Sequence, residues 1–406
     1  MRRLLLDLLS TRQPVTQATV DTLSAEDWQA MLDMAHEHRL LQMMHWRLGH
    51  ERAALVVPSH VRDTMRAATQ KGTIRALKIQ AELLRVVRLL DSLGIPCMAL
   101  KGAYLAFEVY PQPSMRPLRD LDILVPPEQA LAADAALRAA GFTVPEGADG
   151  DPAVCLVERK HLPPLISPAS GICIELHARL TRPDYGRTEG LQLADMWDRR
   201  VLRHVGDQAI ACLSPTDLLL HLIYHAAYDH RLDNGPLTLT DLDYLIRHAE
   251  IDWPLFWNLA REGDWVRGCL LLLAMTQRFF EGLSVSYDGI SADEIAVAET
   301  LAETGAALIL RHKDEPYVYI AASLVGRSRP RQLLILARHF LPSRRKMAIA
   351  NPEMHSVTGT LRAYARKMHR MFAKRLPNLL RDALGQSMRH EVKRALELER
   401  WLTRTP

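Results

Sequence analysis

The sequence predicts an α+β protein: a small mixed β-sheet with helices packed on one side, flanked by N-terminal and C-terminal helical regions. Both ends of the chain carry apolar residues at the three- and four-residue spacing of amphipathic helices. The stretch between them alternates short apolar runs with helical patterns, as expected where helices cover a small sheet. We therefore divide the chain into an N-terminal helical region (1–90), an α/β core (91–215), a C-terminal helical domain (216–326) and a basic helical tail (327–406).

The individual elements follow from periodicity and from start and stop signals. In the N-terminal region, helices are predicted at 25–36, where Ser24 is the N-cap, and at 62–90, before the helix-terminating Gly94. In the core, strands are predicted at 95–100, 118–125, 142–144, 153–158 and 172–176, helices at 103–110 and 127–140, and turn-rich connections at 146–152 and 162–171. The last part of the chain is predicted to form helices at 215–230, 239–250, 254–262, 266–282 and 293–312, followed by the basic tail.

Composition excludes several classes of protein. With 48% hydrophobic and 24% charged residues, the 406-residue chain has the balance of a soluble globular protein. Its five cysteines form no C-x-x-C pair, which argues against a zinc knuckle or a disulfide framework and favours a cytoplasmic location. The N-terminal apolar run is interrupted by Asp7, so an amphipathic helix is expected there instead of a signal peptide. No stretch approaches the roughly 20 apolar residues of a membrane span.

Charge is distributed unevenly along the chain. Residues 327–406 hold nineteen Lys and Arg against five Asp and Glu, a formal charge of +14, whereas the whole chain carries +4. Such a basic segment is expected either to meet an anionic partner or to dock on the acidic remainder of the chain. Aromatic residues are sparse within it, so nucleic acid stays open as a partner but is not favoured.

Two carboxylates mark the centre of the predicted core. Asp120 and Asp122 are two residues apart in the apolar run 118–125, and side chains at this spacing share one face of a strand. Carboxylates so placed repel each other unless a cation lies between them, and a hard divalent cation with oxygen ligands is the usual solution. The alternative is a solvated loop in which Arg116 or Arg119 pairs with one of the two acids.

The residues before this strand have the character of a phosphate site. Lys101 and Gly102 form the turn after the strand predicted at 95–100, and a short helix follows, where backbone N–H groups from Ala103 onward can hold phosphates. Gly102 permits close approach of a ligand, and the ammonium group of Lys101 can contact a phosphate. Arg116 is a further candidate, ranked above Arg119 because strand alternation directs Arg119 away from the two carboxylates.

A third carboxylate is expected from Glu175. It lies in the apolar run 172–177, on the same face as Cys173 and His177. A buried Glu in such a strand costs several kcal/mol unless it is paired or bound to a cation, so a third ligand position is predicted here. The alternative is a Glu on an edge strand, facing water.

Two other clusters are interpreted as structural. Asp241 and Asp243 repeat the D-x-D spacing, but the pattern around them is helical with Thr240 as N-cap, so the helix dipole accounts for both acids. His221, His225 and Asp229 share a predicted helix face with spacing that zinc could use, although hydrogen bonding into the core and lining of a cleft is the favoured interpretation. His225 is the member expected to face the cleft and to contact a base, a phosphate or the acceptor.

The motifs LKGAYL, RPLRDLDILV and ICIELH together resemble a family of bacterial nucleotidyltransferases of the polymerase-β-like superfamily. The resemblance covers roughly residues 80–250. One departure is that the superfamily usually has Gly-Ser or Gly-Gly at the turn, where this chain has Gly102-Ala103.

The resemblance implies a polymerase-β-like nucleotidyltransferase core and Mg²⁺-dependent transfer of a nucleoside monophosphate from an NTP to an acceptor, with release of pyrophosphate. It implies that Asp120, Asp122 and Glu175 hold Mg²⁺, or Mn²⁺ in its place. The nucleotide and its phosphates are expected to meet Lys101, Gly102, Ala103, Arg116 and His225. The acceptor would be a small molecule, a peptide or a sugar, and the resemblance hints at modified-peptide or polysaccharide biosynthesis. The alternatives are a metal-dependent glycosyltransferase that uses a nucleotide sugar, and a nucleotide-binding protein that has lost catalysis.

Overall fold

The computed structural model describes residues 1–12, 15–146, 150–181, 193–311, 327–340, 347, 356–370 and 386–403. It has the predicted α+β architecture, with one mixed sheet and many helices. Parts of the basic tail, including Arg344, Arg345, Lys374 and Arg375, lie outside the described residues. In the part of the chain that the structure describes, no helix combines the length and apolarity needed to cross a bilayer.

The N-terminal region is helical, as predicted. The cap of its third helix is confirmed, because Ser24 Oγ accepts a hydrogen bond from Asp27 N while the Asp27 side chain accepts one from Ser24 N. The helices are α1 (Arg2–Leu9), α2 (Gln17–Asp21), α3 (Ala25–Glu37), α4 (Leu41–Gly49) and α5 (Ser59–Ser92).

Six strands form one sheet in the core, in the order β3-β4-β2-β1-β6-β5. β2 pairs with β4 and β1 with β6 in parallel, whereas the other three pairings are antiparallel. The strands are β1 (Met98–Ala99), β2 (Asp120–Leu124), β3 (Leu165–Ile166), β4 (Cys173–His177), β5 (Val201–Val205) and β6 (Gln208–Cys212). The core helices are α6 (Gly102–Tyr104), which continues as a π-helix over Leu105–Val109, α7 (Ala130–Ala139), α8 (Pro152–Glu158) and α9 (Leu193–Arg199).

Several predictions for the core are wrong. The strand predicted at 153–158 is helix α8, because Pro152 starts a helix at its first position and Asp151 caps it through Ala153 N. The strand predicted at 142–144 is only a single bridge between Thr143 and Ile166. Ile166 belongs to β3, a strand that lies within the connection predicted at 162–171. The β5–β6 hairpin was not predicted at all, since its residues do not alternate cleanly between apolar and polar.

The C-terminal part is helical, as predicted. Its helices are α10 (Pro215–Tyr224), which continues as a π-helix over His225–Asp229, α11 (Leu237–His248), α12 (Trp253–Glu262), α13 (Val266–Phe279), α14 (Ala292–Ile309), α15 (Arg329–Phe340), α16 (Val357–Arg370) and α17 (Gln386–Thr403). Among the described residues, one continuous cluster of buried apolar side chains extends from Leu5 to Leu402 and includes the sheet. The four-region division of the chain stays a prediction.

Candidate active site

The register of two parallel strands brings the predicted carboxylates together. In β2 and β4, Asp122 pairs with Glu175 and Asp120 pairs with Cys173, so residues of the same parity share a face across the two strands. Asp120, Asp122 and Glu175 line one cavity of about 400 Å³. This volume is in the range of small-molecule sites.

Asp122 is the most tightly held of the three acids. It is only 8% exposed, and its Oδ1 lies 2.8 Å from His177 Nε2 and 3.3 Å from Lys101 Nζ. Burial raises the pKa of Asp122, but Lys101 and His177 outweigh it and hold the pKa well below its ordinary value. Asp122 is therefore a carboxylate anion inside the protein.

Glu175 is flanked by two imidazoles. Its Oε2 lies 3.6 Å from His177 Nε2 and 3.9 Å from His161 Nε2. Burial acts to raise the pKa of Glu175, yet the hydrogen bond from His177 and the nearby His161 bring it below the usual value. Burial also lowers the pKa of His161.

Asp120 behaves differently from its neighbour. Burial raises its pKa first, and the charges of Asp122 and Glu175 raise it further, despite the opposing effect of Lys101. The cluster thus holds two acids that favour the charged form and one that resists it.

The Lys101-Gly102 turn is built differently from a simple phosphate loop. Lys101 adopts φ 44° and ψ −111°, the first central position of a type II′ turn, which Ala103 N closes by donating to Leu100 O at 3.2 Å. Glycine is required next to it because a Cβ on Gly102 would overlap Arg116 Nη1 and a methyl group of Leu118. Gly102 lines the cavity, whereas Ala103 is buried and its N–H is already engaged.

Arg116 reaches the cavity but is committed to a carboxylate. Its Nε lies 2.9 Å from Asp241 Oδ1, and its Nη2 lies 2.9 Å from Asp241 Oδ2. Asp241 Oδ1 also accepts a hydrogen bond from Tyr110 Oη at 2.7 Å. The structural interpretation of the second D-x-D agrees with this contact, but its proposed cause was wrong. α11 begins at Leu237, so Asp241 and Asp243 are buried in its interior and act through ion pairs, not through an N-terminal dipole.

Two further cations line the cavity. Arg119 was expected to point away, but β2 begins only at Asp120, so strand alternation does not govern it. Arg39 comes from the turn between α3 and α4, with φ 61°. Burial and the neighbouring Arg116 and Arg119 lower the pKa of Arg39 to about 10. Within the described chain, no carboxylate lies within ion-pair distance of Arg39, and its Nε has no hydrogen-bond partner.

His225 lines the cavity, as predicted, within a polar cluster. Its Nδ1 lies 3.3 Å from Asp229 Oδ2, and that oxygen accepts a hydrogen bond from Lys160 Nζ at 2.7 Å. The ring centres of His225 and His230 are 4.3 Å apart. The π-helical turn after α10 carries both His225 and Asp229. His221 lies behind them, fully buried.

One place among the described residues has the donor atoms for a metal ion. Ligand atoms of Asp122, Glu175 and His177 all lie within 4.8 Å of one another. The zinc grouping of His221, His225 and Asp229 does not form such a set. The carboxylate oxygens fit a divalent cation, and Lys101 supplies the compensating charge next to Asp122.

Sequence reasoning missed several residues of this site: His177, His161, Lys160, Arg39 and His230. A signal existed for His177, since it shares its strand face with Glu175. His161 and Lys160 lie between the strand predicted at 153–158 and the connection predicted at 162–171, and no role was predicted for them. No signal in the sequence places Arg39 there.

Comparison with known protein families matches residues 24–281 to the family described as "Uncharacterised nucleotidyltransferase". The match covers more than half of the 406-residue chain and extends beyond the roughly 80–250 that the resemblance spanned. It therefore includes α3, the turn that carries Arg39, and α13. No curated protein matches the chain.

Proposed function

The chain belongs to the uncharacterised nucleotidyltransferase family, and from that premise we propose that it is a Mg²⁺-dependent enzyme that moves a nucleoside monophosphate from an NTP to an acceptor, releasing pyrophosphate. The observation that carries the proposal is the cavity itself. It is lined by three carboxylates, Asp120, Asp122 and Glu175, and by several cations, among them Arg39 and Lys101. The acceptor class proposed is a small molecule, peptide or sugar.

The three carboxylates would hold the divalent ions. Asp120 and Asp122 would contact the ion next to the triphosphate, and Glu175 would complete a second position beside Asp122. Bound Mg²⁺, or Mn²⁺ in its place, would neutralise charge on the triphosphate and on the acceptor oxygen. The fit is supported by the low pKa of Asp122, which keeps this ligand charged at neutral pH.

The remaining chemistry belongs to side chains that place the reactants. The acceptor hydroxyl oxygen forms a bond to the α-phosphorus, the bond to the α,β-bridging oxygen breaks, and pyrophosphate leaves with that electron pair. The proton passes to one of the cavity carboxylates, which acts as general base. Lys101 and Arg39 would attract the phosphates, with Gly102 and Arg116 shaping the floor and His225 facing the base or the acceptor.

The test is pyrophosphate release from each ribonucleoside triphosphate with Mg²⁺, in clarified cell extract as a source of acceptor. We expect Asp122→Asn to lower the rate by roughly 1,000-fold or more, since it removes a carboxylate that would hold the divalent ion at the transferring phosphoryl group. Labelled nucleotide then leads to the acceptor. A rate close to that of the wild type in Asp122→Asn would contradict the proposal.

The second D-x-D supplies a matched control. Asp243→Asn also removes the second carboxylate of a D-x-D motif, but Asp243 does not line the cavity and contacts Arg247 and Arg47 instead. We expect this variant to lose stability and to keep turnover per folded molecule. Transfer of a sugar from a nucleotide sugar with release of its nucleotide, and no pyrophosphate released from any NTP, would point to a glycosyltransferase.

A further inference from the structure

Two imidazoles stand at the second ion position, next to Glu175. His177 Nε2 lies 2.8 Å from Asp122 Oδ1 and 3.6 Å from Glu175 Oε2, and His161 Nε2 lies 3.9 Å from the same Glu175 oxygen. The two rings are 5.3 Å apart. Donor atoms of Asp122, Glu175 and His177 therefore lie within 4.8 Å of one another, and His161 Nε2 joins this group from the side of Glu175.

The distances between these donors suit a shared ion. An ion with bonds of about 2.1 Å puts adjacent ligand atoms about 3.0–3.4 Å apart and opposite ones about 4.2 Å apart. The 2.8 and 3.6 Å separations match adjacent positions, and the 3.9 Å separation approaches an opposite one. Asp122 Oδ1 also contacts Lys101 Nζ at 3.3 Å, so the ammonium group would give way to the ion. His177 Nε2 donates to Asp122 Oδ1 when no ion is bound, so this ring would bind the ion with its proton on Nδ1, which has no hydrogen-bond partner among the described residues.

The hydrogen bond at the other ring nitrogen fixes which atom of His161 is available. His161 Nδ1 lies 2.9 Å from Leu162 O, and a carbonyl oxygen can only accept. The ring proton therefore sits on Nδ1, and Nε2 presents a lone pair toward Glu175. This arrangement, in which a backbone carbonyl sets the tautomer, is typical of histidines that bind metals.

We propose that this position is a mixed nitrogen–oxygen site, formed by Asp122, Glu175, His177 and His161, that takes an imidazole-binding ion such as Mn²⁺ in preference to Mg²⁺. Mg²⁺ prefers all-oxygen ligands, whereas imidazole nitrogen suits the later first-row transition ions, and Mn²⁺ accepts oxygen and nitrogen ligands together. The Asp120–Asp122 position keeps the oxygen ligands that suit Mg²⁺. The assignment of two ion positions rests on the proposed function, but the composition of this one does not require turnover.

The test is pulsed EPR of Mn²⁺ added to metal-free, full-length protein labelled with ¹⁵N-histidine, without nucleotide. We expect nitrogen couplings that change with the isotope, that disappear in His177→Gln and that weaken in His161→Gln. Titration with each ion should show Mn²⁺ binding at least about 10-fold more tightly than Mg²⁺, and His177→Gln should remove most of this difference.

His204→Gln is the matched control, because His204 is exposed on β5, outside the cavity. The nitrogen couplings and ion affinities of His204→Gln should equal those of the wild type. Mg²⁺ binding by His177→Gln would show that the His177 variant is folded. Mn²⁺ bound without histidine couplings, or no Mn²⁺ bound at all, would overturn the proposal. Couplings present without pyrophosphate release would support this site and count against the proposed function.

Discussion

At the scale of single residues, Asp120 and Asp122 show how one motif yields two different acids. Both lie on the same strand, but of these two acids only Asp122 is in contact with Lys101 and His177. The pKa of Asp122 is accordingly lowered, while burial and the other two carboxylates raise that of Asp120. In the metal-free protein, ionised Asp120 therefore weakens the fold and ionised Asp122 strengthens it.

We predict that Asp120→Asn raises the melting temperature of the metal-free protein at pH 7, by on the order of 1–2 °C, because it removes like-charge repulsion. The pKa of Asp120 is higher in the folded than in the unfolded state, so its charge costs stability above that raised pKa. The gain should shrink as the pH falls toward the ordinary value of about 3.9. Thermal melts across this pH range provide the measurement.

Asp122→Asn is the matched comparison and should lower the melting temperature at pH 7, because it breaks contacts to Lys101 and His177. With saturating Mg²⁺, Asp120→Asn should melt at a lower temperature than the wild type, because Mg²⁺ binding stabilises the wild type more than the variant. An Asp120→Asn protein less stable than the wild type without metal would contradict this account.

At the scale of elements, a buried ion pair connects α11 to the loop before β2. Arg116 and Asp241 have side-chain exposures of 12% and 4%, and their bidentate contact is joined by Tyr110, the residue that follows the π-helix after α6. The same arginine packs against Gly102. Helix α11 therefore holds the turn and the carboxylate strand in their relative positions.

We predict that Asp241→Asn destabilises the protein by about 3 kcal/mol, since it leaves the Arg116 charge buried without its partner. Urea unfolding measures the loss. The double variant with Arg116→Gln should recover part of this stability, because it removes the uncompensated charge. Equal stability of Asp241→Asn and the wild type would show that the pair does not hold these elements together.

At the scale of the whole molecule, the N-terminal helices, the core and the C-terminal helices all contribute residues to the cavity. The N-terminal helices supply Arg39, the core supplies the carboxylates, and the C-terminal helices supply His225 and Asp241. The basic tail also docks on this body where it is described: Trp401 of α17 donates to Arg267 O at 3.3 Å, and Leu398 is buried. One of the two expected uses of that tail is thus observed for its last helix.

We predict that Arg39→Gln raises the KM for NTP by roughly 10-fold, which corresponds to the loss of one charge-assisted hydrogen bond. Stability should change little, because no carboxylate among the described residues pairs with Arg39. Steady-state kinetics and a thermal melt provide the two readouts. Lys78→Gln, at an exposed position of α5 that does not line the cavity, controls for the loss of a positive charge. Equal changes in both variants would exclude a local role for Arg39.

The sequence alone determined the fold class, most helices and the three carboxylates, because these depend on patterns repeated over short distances. The strand spacing of Asp120 and Asp122, and the lone acid at 175 in an apolar run, are such patterns. Where local signals competed, the prediction failed. Pro152 and Asp151 start helix α8 in an apolar run that was predicted to be a strand, and α11 began three residues before its expected cap.

Only the tertiary structure decided which charges surround those carboxylates. Parallel pairing of β2 with β4 set the register of Asp122 against Glu175, and a long-range contact committed Arg116 to Asp241. Arg39 reaches the cavity across a sequence separation that no local pattern encodes. Pairing between distant residues depends on how buried faces pack, and electrostatic energies depend on distance and burial, so neither can be obtained from spacing along the chain.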